Sequence, residues 1–173
     1  LQGPLIKGKK QETALLGFFV AGDVGYNRDG AISSKGYYKA TDATLQNLQQ
    51  NPLRPTGLGF GTYRNGEFVR VADLEKTKRS MNTENYSINL SGNINVRTTE
   101  TINLTFGGTY NKSNGNGFSY SGAFYNWDKN GEYNNNTWRV FGRFTQRFPT
   151  DNESTSIIKN FYYSIQADYT RQM

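Results

Sequence analysis

Residues 86–110 read YSINLSGNINVRTTETINLTFGGTY, and apolar and polar side chains alternate on both sides of the central TTET. Tyr86, Ile88, Leu90, Gly92, Ile94 and Val96 share one face of the first half, against Ser87, Asn89, Ser91, Asn93, Asn95 and Arg97 on the other. Past the turn, Ile102, Leu104, Phe106, Gly108 and Tyr110 oppose Asn103, Thr105, Gly107, Thr109 and Asn111. A period of two over this length predicts a hairpin of two long strands with one apolar and one polar face. The fold turns on whether that apolar face meets a protein core or lipid.

Outward from the hairpin the pattern recurs. In ALLGFFVAGDVGYN, Leu16, Phe18, Val20, Gly22, Val24 and Tyr26 form a face against Gly17, Ala21, Asp23 and Gly25, with Phe19 as the exception. In TWRVFGRFTQRF, Trp138, Val140, Gly142, Phe144 and Phe148 oppose Arg139, Arg143, Thr145 and Arg147. In NFYYSIQADYT, Phe161, Tyr163, Ile165, Ala167 and Tyr169 oppose Asn160, Ser164, Gln166 and Asp168. With a shorter stretch at the start, strands are predicted near 1–6, 14–27, 85–97, 102–111, 137–148 and 160–171. Their connections alternate in length: 7–13, 98–101 and 149–159 are short, while 28–84 and 112–136 are long. In an up-and-down antiparallel sheet every second connection leaves the same edge, so one edge carries tight turns and the other long loops. Outer-membrane barrels have that asymmetry. Within the first long loop, Thr41 or Asp42 is placed to cap a helix ending before Pro52, and Asp73 to open a second. The loop is read as carrying small helices and no separate domain.

Composition narrows the functional classes. The chain of 173 residues is only 35% hydrophobic, yet 14% aromatic; disordered chains are poor in aromatic residues, so low hydropathy here points to turns and polar strand faces instead. No stretch is long and apolar enough for a transmembrane helix. Cys and His are both absent, which removes thiol chemistry, disulfides and His-based acid–base or metal sites. Paired carboxylates suited to hydrolysis do not stand out, and no Gly-rich loop leads into a helix; neither catalytic, cofactor nor metal residues are expected, and the protein is not read as an enzyme. The +6 charge comes from scattered bases, the densest being KGKK at 7–10 in an expected turn, so no nucleic-acid partner is expected.

A soluble sheet would need a second apolar layer over its apolar face. No amphipathic helix of useful length supplies one, and sandwich strands average five or six residues, shorter than these. A tilted transmembrane strand needs roughly 9–11 residues, with lipid on the apolar side and a polar lumen on the other. Tyr26, Tyr86, Tyr110, Trp138 and Tyr169 sit at the strand ends toward the long loops, and Phe148 and Phe161 toward the short turns, as interfacial aromatic belts require. The expected fold is therefore all-β, an antiparallel up-and-down transmembrane barrel whose apolar faces look to lipid. Six strands do not close such a barrel, and open edges are not tolerated in hydrocarbon. The chain, which starts at Leu1 without a leader, is expected to be one part of a larger barrel.

The stretches GPLIKGK at 3–9, GFFVAGDVGYNRDG at 17–30, NPLRPTG at 51–57 and DLEKTKRSMN at 73–82 resemble a SusC/RagA-like TonB-dependent outer-membrane transporter of the type found in Bacteroidetes. The resemblance extends over the whole chain and implies the early part of a barrel of about 22 strands, just after an N-terminal plug that this chain lacks. It further implies import of a large nutrient such as a glycan or peptide, energy delivered by TonB through the plug, and a SusD-like lipoprotein lid as a possible partner. The implied location is the outer membrane of a Gram-negative bacterium.

Three local features bear on contacts. YSGAFYNWDKNGEYNNN at 120–136 gathers Tyr120, Phe124, Tyr125, Trp127 and Tyr133 in an expected extracellular loop, where rings either stack on sugars or partners or pack the loop against itself. Within it, Asp128, Asn130 and Glu132 resemble part of a calcium loop but lack the Gly and bidentate Glu of the full pattern, so an Asn-Gly turn is expected; Asp29-Gly30 and Asn65-Gly66 are read as turns likewise. Arg139, Arg143 and Arg147 recur every fourth residue on the expected lumenal face, as a basic ladder for an anionic solute or for plug residues, with Asp168 on the next strand to neutralise part of it. Two other readings fit parts of the pattern: a non-transporting outer-membrane barrel, such as an adhesin or secretion-associated porin, and a soluble all-β carbohydrate-binding module.

Overall fold

The computed structural model of the chain describes residues 1–7, 14–29, 33–120, 122–149 and 160–173. Its strands are β1 (Gln2–Lys7), β2 (Ala14–Asn27), β3 (Tyr37–Ala40), β4 (Leu53–Pro55), β5 (Thr62–Arg64), β6 (Leu74–Thr77), β7 (Asn85–Arg97), β8 (Ile102–Asn116), β9 (Glu132–Phe148) and β10 (Phe161–Gln172), with a single α-helix, α1 (Asp42–Gln50), among the described residues. The fold is mostly antiparallel β-sheet. Six strands form one sheet in the order β1-β2-β7-β8-β9-β10, which is chain order once the insertion between β2 and β7 is set aside. Two small hairpins, β3 with β6 and β4 with β5, make up the remaining sheets. No described helix is long and apolar enough to cross a membrane, a statement that has no bearing on strands.

The chain divides into two compact units. The first, 1–25, 86–113 and 134–173, is the six-stranded sheet. Its register is set by the alternation and by its turns. Thr99 shapes the β7–β8 turn: its hydroxyl accepts from the N–H groups of Thr101 at 3.3 Å and Ile102 at 3.0 Å, and the Arg97 guanidinium donates to the Glu100 carbonyl at 3.3 Å. A Thr hydroxyl bonding the backbone two or three residues on supplies the reversal that Gly would otherwise provide. β9 and β10 pair without interruption from Phe148↔Phe161 to Thr137↔Gln172. β1 is irregular, with register shifts after Pro4 and after Ile6; Pro, which cannot donate to a ladder, is confined to such an edge strand.

Burial on β7 is the reverse of that in a soluble sheet, while β10 is exposed on both faces and β9 exposes Arg139, Arg143 and Arg147 as well as Val140. On β7 the exposed residues are Tyr86, Leu90 and Ile94, all apolar, while Asn89, Asn93 and Asn95 are half-buried. The apolar face stays open on every long strand: Val20 is 52% exposed, Leu90 47%, Phe106 55%, Val140 50% and Ile165 64%. No described side chain of the sheet is fully buried. The two faces are correctly separated all the same. Adding a Cβ to Gly22 would meet the Leu90 side chain on the apolar side, and one on Gly25 would meet the Ser87 hydroxyl on the polar side. Phe141 is an exception that the alternation misses: its ring lies on the polar face over Gly107, where a Cβ would approach Phe141 Cζ to 2.7 Å and the Gly92 carbonyl to 2.8 Å.

The second unit, 26–85 and 114–133, is assembled from the two long connections. Thr41 caps α1, its Oγ1 accepting from the Thr44 N–H at 3.2 Å, and the helix ends at Asn51 before Pro52 as expected. Asp73 does not open a helix. It ends a short 3-10 turn (Val71–Asp73), its carboxylate accepts from the Arg70 N–H at 2.8 Å, and Leu74–Thr77 continues as β6 paired with β3. β-Strand pairing outweighs the helical reading because Tyr37 and Tyr38 supply a partner strand that local sequence cannot reveal. β8 and β9 also run five residues further than the alternation suggests, to Asn116 and from Glu132. These extensions are polar on both faces, so hydrophobic periodicity could not detect them. Asn65-Gly66 starts a 3-10 helix (Asn65–Phe68), and the reversal near Asn130 is made by a 3-10 turn at Trp127–Lys129 instead of by Asn-Gly. Residues 8–10 of the KGKK run, the turn at 149–159 beyond Pro149, and Gly30 lie outside the described residues.

The core of this unit is small and largely polar. Ala40 is its fully buried apolar residue, its N–H bonded to the Phe124 carbonyl at 2.8 Å. Asp29, Ser80 and Thr83 form a buried node: the Ser80 hydroxyl joins the Asp29 carboxylate and lies 2.7 Å from the Thr83 hydroxyl, and the Ser80 N–H donates to Asp29 Oδ2 at 3.3 Å.

Candidate functional site

The polar face of the sheet carries a ladder of side-chain bonds. Asn89 donates to Asp23 at 3.0 Å, Asn95 to Asn93 at 2.8 Å and Thr105 to Asn95 at 2.8 Å. Farther along, Arg143 Nε donates to Gln166 at 2.8 Å, and Thr145 and Ser164 hydroxyls lie 3.1 Å apart. The strand register places Arg139, Arg143 and Arg147 on this one face, opposite Thr170, Gln166 and Tyr162. The three cations are not equivalent. Arg139 Nη2 pairs with Asp168 Oδ2 at 3.2 Å, as the sequence suggests. Arg143 is held by Gln166 and lies 6.0 Å over the Phe141 ring. Arg147 borders, with Arg97 and Glu100, a recess of about 240 Å³ at the β7–β8 turn. The face is hydrophilic and cross-linked, suited to lining water.

The apolar face carries aromatic contacts at both strand ends. Trp138 and Tyr169 have ring centroids 5.3 Å apart, and Phe148 stacks on Phe161 at 5.8 Å. Gln146 falls in this face, and the Tyr163 hydroxyl donates to it at 2.7 Å, satisfying part of its amide among the rings.

The five aromatic loop residues have separate fates. The Tyr125 hydroxyl donates to the Gly66 carbonyl at 2.9 Å and its ring meets Phe124 edge-on. Trp127 lies under Lys39 Nζ at 4.7 Å, with Lys39 also paired to Glu75 at 2.6 Å. These three tie the loop to the other long connection, where the Ala40 N–H also donates to the Phe124 carbonyl. Tyr120 touches Phe118 edge-on yet is 83% exposed, and Tyr133 is exposed as well. Burial raises the pKa of the Tyr37 hydroxyl above its usual value, with Asp29 and then Tyr120 adding to the effect. The Asn130 amide donates to the Met81 and Asn82 carbonyls at 3.0 and 2.8 Å, clamping the segment that resembles part of a calcium loop. Among the described residues no three His, Cys, Asp or Glu side chains gather to hold a metal.

A further cavity in this unit escapes the sequence reading. It has a volume of about 460 Å³ and is lined by one side of α1 (Thr44, Asn47), the β4–β5 hairpin (Arg54, Asn65) and Phe68 to Asp73. The signal for it was the interleaving of Arg54, Tyr63, Phe68 and Arg70 through a Gly-rich hairpin, which alternation alone does not single out. Comparisons with protein families, with curated proteins and with solved structures give no match.

Proposed function

We propose that the six-stranded sheet is part of the wall of a transmembrane β-barrel in the outer membrane of a Gram-negative bacterium, and that the whole protein is a SusC-like TonB-dependent importer of a large nutrient. The observation that carries this reading is the uncovered apolar face of the sheet. Large apolar side chains project uncovered from every long strand, while the opposite face satisfies its polar groups in hydrogen bonds. In water such a face would expose far more contiguous apolar surface than soluble proteins tolerate; lipid removes that cost.

The dimensions agree. At roughly 3.3 Å per residue, Trp138 and Phe148 lie about 33 Å apart along β9, and a tilt near 40° brings this to about 25 Å, the height of an outer-membrane apolar band. The ring pairs Trp138 with Tyr169 and Phe148 with Phe161 then serve as the two aromatic belts. The edges β1 and β10 are closed by further strands, since unpaired backbone groups are costly in hydrocarbon. The import function rests on the resemblance of the quoted segments. It brings with it energy from TonB through a plug, a glycan or peptide cargo and a SusD-like lid.

The test places single cysteines in this chain, which has none of its own, with any Cys elsewhere in the protein replaced. Single cysteines at Leu90, Phe106 and Val140, and at Asn89, Thr105 and Arg143, are labelled with a fluorophore in the full-length protein reconstituted in vesicles. Quenching of the first set by lipid-borne nitroxide and of the second by an aqueous quencher is expected. Aqueous quenching of both sets would rule the membrane reading out.

A further inference from the structure

The geometry points to the cavity between α1 and the β4–β5 hairpin as a binding site for an acidic saccharide, its carboxylate received by Arg54 and Arg70. This inference rests on the import reading for its cargo and narrows that cargo from a glycan or peptide to a glycan bearing uronate-like charge.

Two cations line the cavity, and neither Arg54 nor Arg70 pairs with a carboxylate among the described residues. The Arg54 guanidinium lies 4.2 Å over the Phe68 ring, and Tyr63 meets Phe68 edge-on at 5.9 Å. Stacking fixes the plane of the guanidinium while leaving the N–H groups at its edge free to receive a planar, two-oxygen anion. The carboxylate in the cavity lining, Asp73, is engaged locally: its Oδ2 accepts the Arg70 N–H at 2.8 Å, which secures the turn carrying Arg70. The rest of the wall mixes amide and hydroxyl groups with the apolar side chains of Ala43, Leu48 and Val69. Asn65 donates to the Asn51 carbonyl at 2.9 Å, Asn51 donates to Asn47 Oδ1 at 3.0 Å, and the Thr44 hydroxyl donates to the Asp73 carbonyl at 2.9 Å. Those bonds hold the wall in place and leave the Asn47 amide N–H groups and the Asn65 amide oxygen for a ligand. Neutral donors and acceptors around a basic centre, with the Phe68 ring beside them, match the hydroxyls, carboxylate and C–H face of a uronate ring.

The test measures binding of an oligogalacturonate to the full-length protein in detergent, with the fully methyl-esterified oligomer of the same length and a poly-glutamate peptide as comparisons. The oligogalacturonate is expected to bind, to weaken as salt is raised, and to lose roughly tenfold or more in affinity in the Arg54→Gln/Arg70→Gln variant. Arg54→Lys keeps the charge and loses the planar fork, so an intermediate loss is expected even if the double variant folds poorly. Unchanged affinity in the variants, or equal binding of the methyl ester, overturns the site. Equal binding of poly-glutamate overturns the saccharide assignment. The cysteine quenching above, run on the same purified protein after reconstitution in vesicles, separates the two ideas. Lipid contact at Leu90 without oligogalacturonate binding defeats the site alone, and Arg-dependent binding with Leu90 in water leaves the site while defeating the membrane reading.

Discussion

The six-stranded sheet and the unit built from its two long connections solve the same problem in opposite ways. The inserted unit turns inward: Ala40 is fully buried, Asp29, Ser80 and Thr83 share a sealed node, and Trp127 and Tyr125 are tied to Lys39 and Gly66. Among the described residues the sheet buries no side chain fully, and on β7 the apolar residues are the more exposed ones. Hydrophobicity alone therefore does not mark the interior of this chain. Which groups have partners does, and by that measure the polar face of the sheet is the satisfied one.

That contrast can be broken most directly at mid-strand. Leu90→Arg in the full-length protein is expected to lower barrel stability by about 2–4 kcal/mol in a lipid refolding titration, while Asn89→Arg, one residue away on the polar face, is tolerated. Equal tolerance would mean that the open face is not in lipid. Gly107→Val tests the polar face itself, because its Cβ would run into Phe141, Asn93 and the Gly92 carbonyl. A loss of about 1–3 kcal/mol is expected in the same titration. Trimming Phe141 to Ala should restore only part of it, since the carbonyl contact is backbone.

In the inserted unit, Asp29→Ala removes the acceptor of the buried Ser80 N–H and hydroxyl and leaves Ser80 only its Thr83 contact, at a cost of about 1–3 kcal/mol. Limited proteolysis should then cut within 33–84 at lower protease, with the strand segments protected as before. The smallest effect is expected at Thr41→Ala, about 1 kcal/mol through loss of the α1 cap. It should appear as faster amide exchange in the first turn of the helix, and Thr41→Ser should restore protection.

β1 and the five long strands, most of the long strands' faces and the cap of α1 were legible in the sequence, because period-two alternation and capping are local signals. The misses share a physical origin. β6 and the ends of β8 and β9 exist through pairing with distant partners, and Asp73 reads as a helix start until β3 is known to lie beside the residues that follow it. Phe141 violates the alternation because a glycine on the neighbouring strand makes room for its ring. Of the site residues, Asp168 was legible as a neutraliser of part of the Arg139, Arg143 and Arg147 ladder, while its pairing with Arg139 in particular emerges only from the register of β9 and β10. The Arg54 and Phe68 pair was not, because their contact depends on how an irregular hairpin folds back.

The nearly sequential strand order carries a kinetic consequence. Every neighbouring pair in the sheet except β2 with β7 is joined by one connection short enough, or internally braced enough, to close early. The β7–β8 hairpin, with its Thr99-bonded turn, is expected to zip first, on the microsecond scale of isolated hairpins. Joining β2 to β7 means closing the loop 28–84, whose chain-entropy cost grows only as the logarithm of its length when slack. Prior folding of the inserted unit would reduce the slack still further. Pulse-labelled amide exchange during refolding should find Ile88 to Val96 protected against β8 before Phe19 to Val24 are protected against β7.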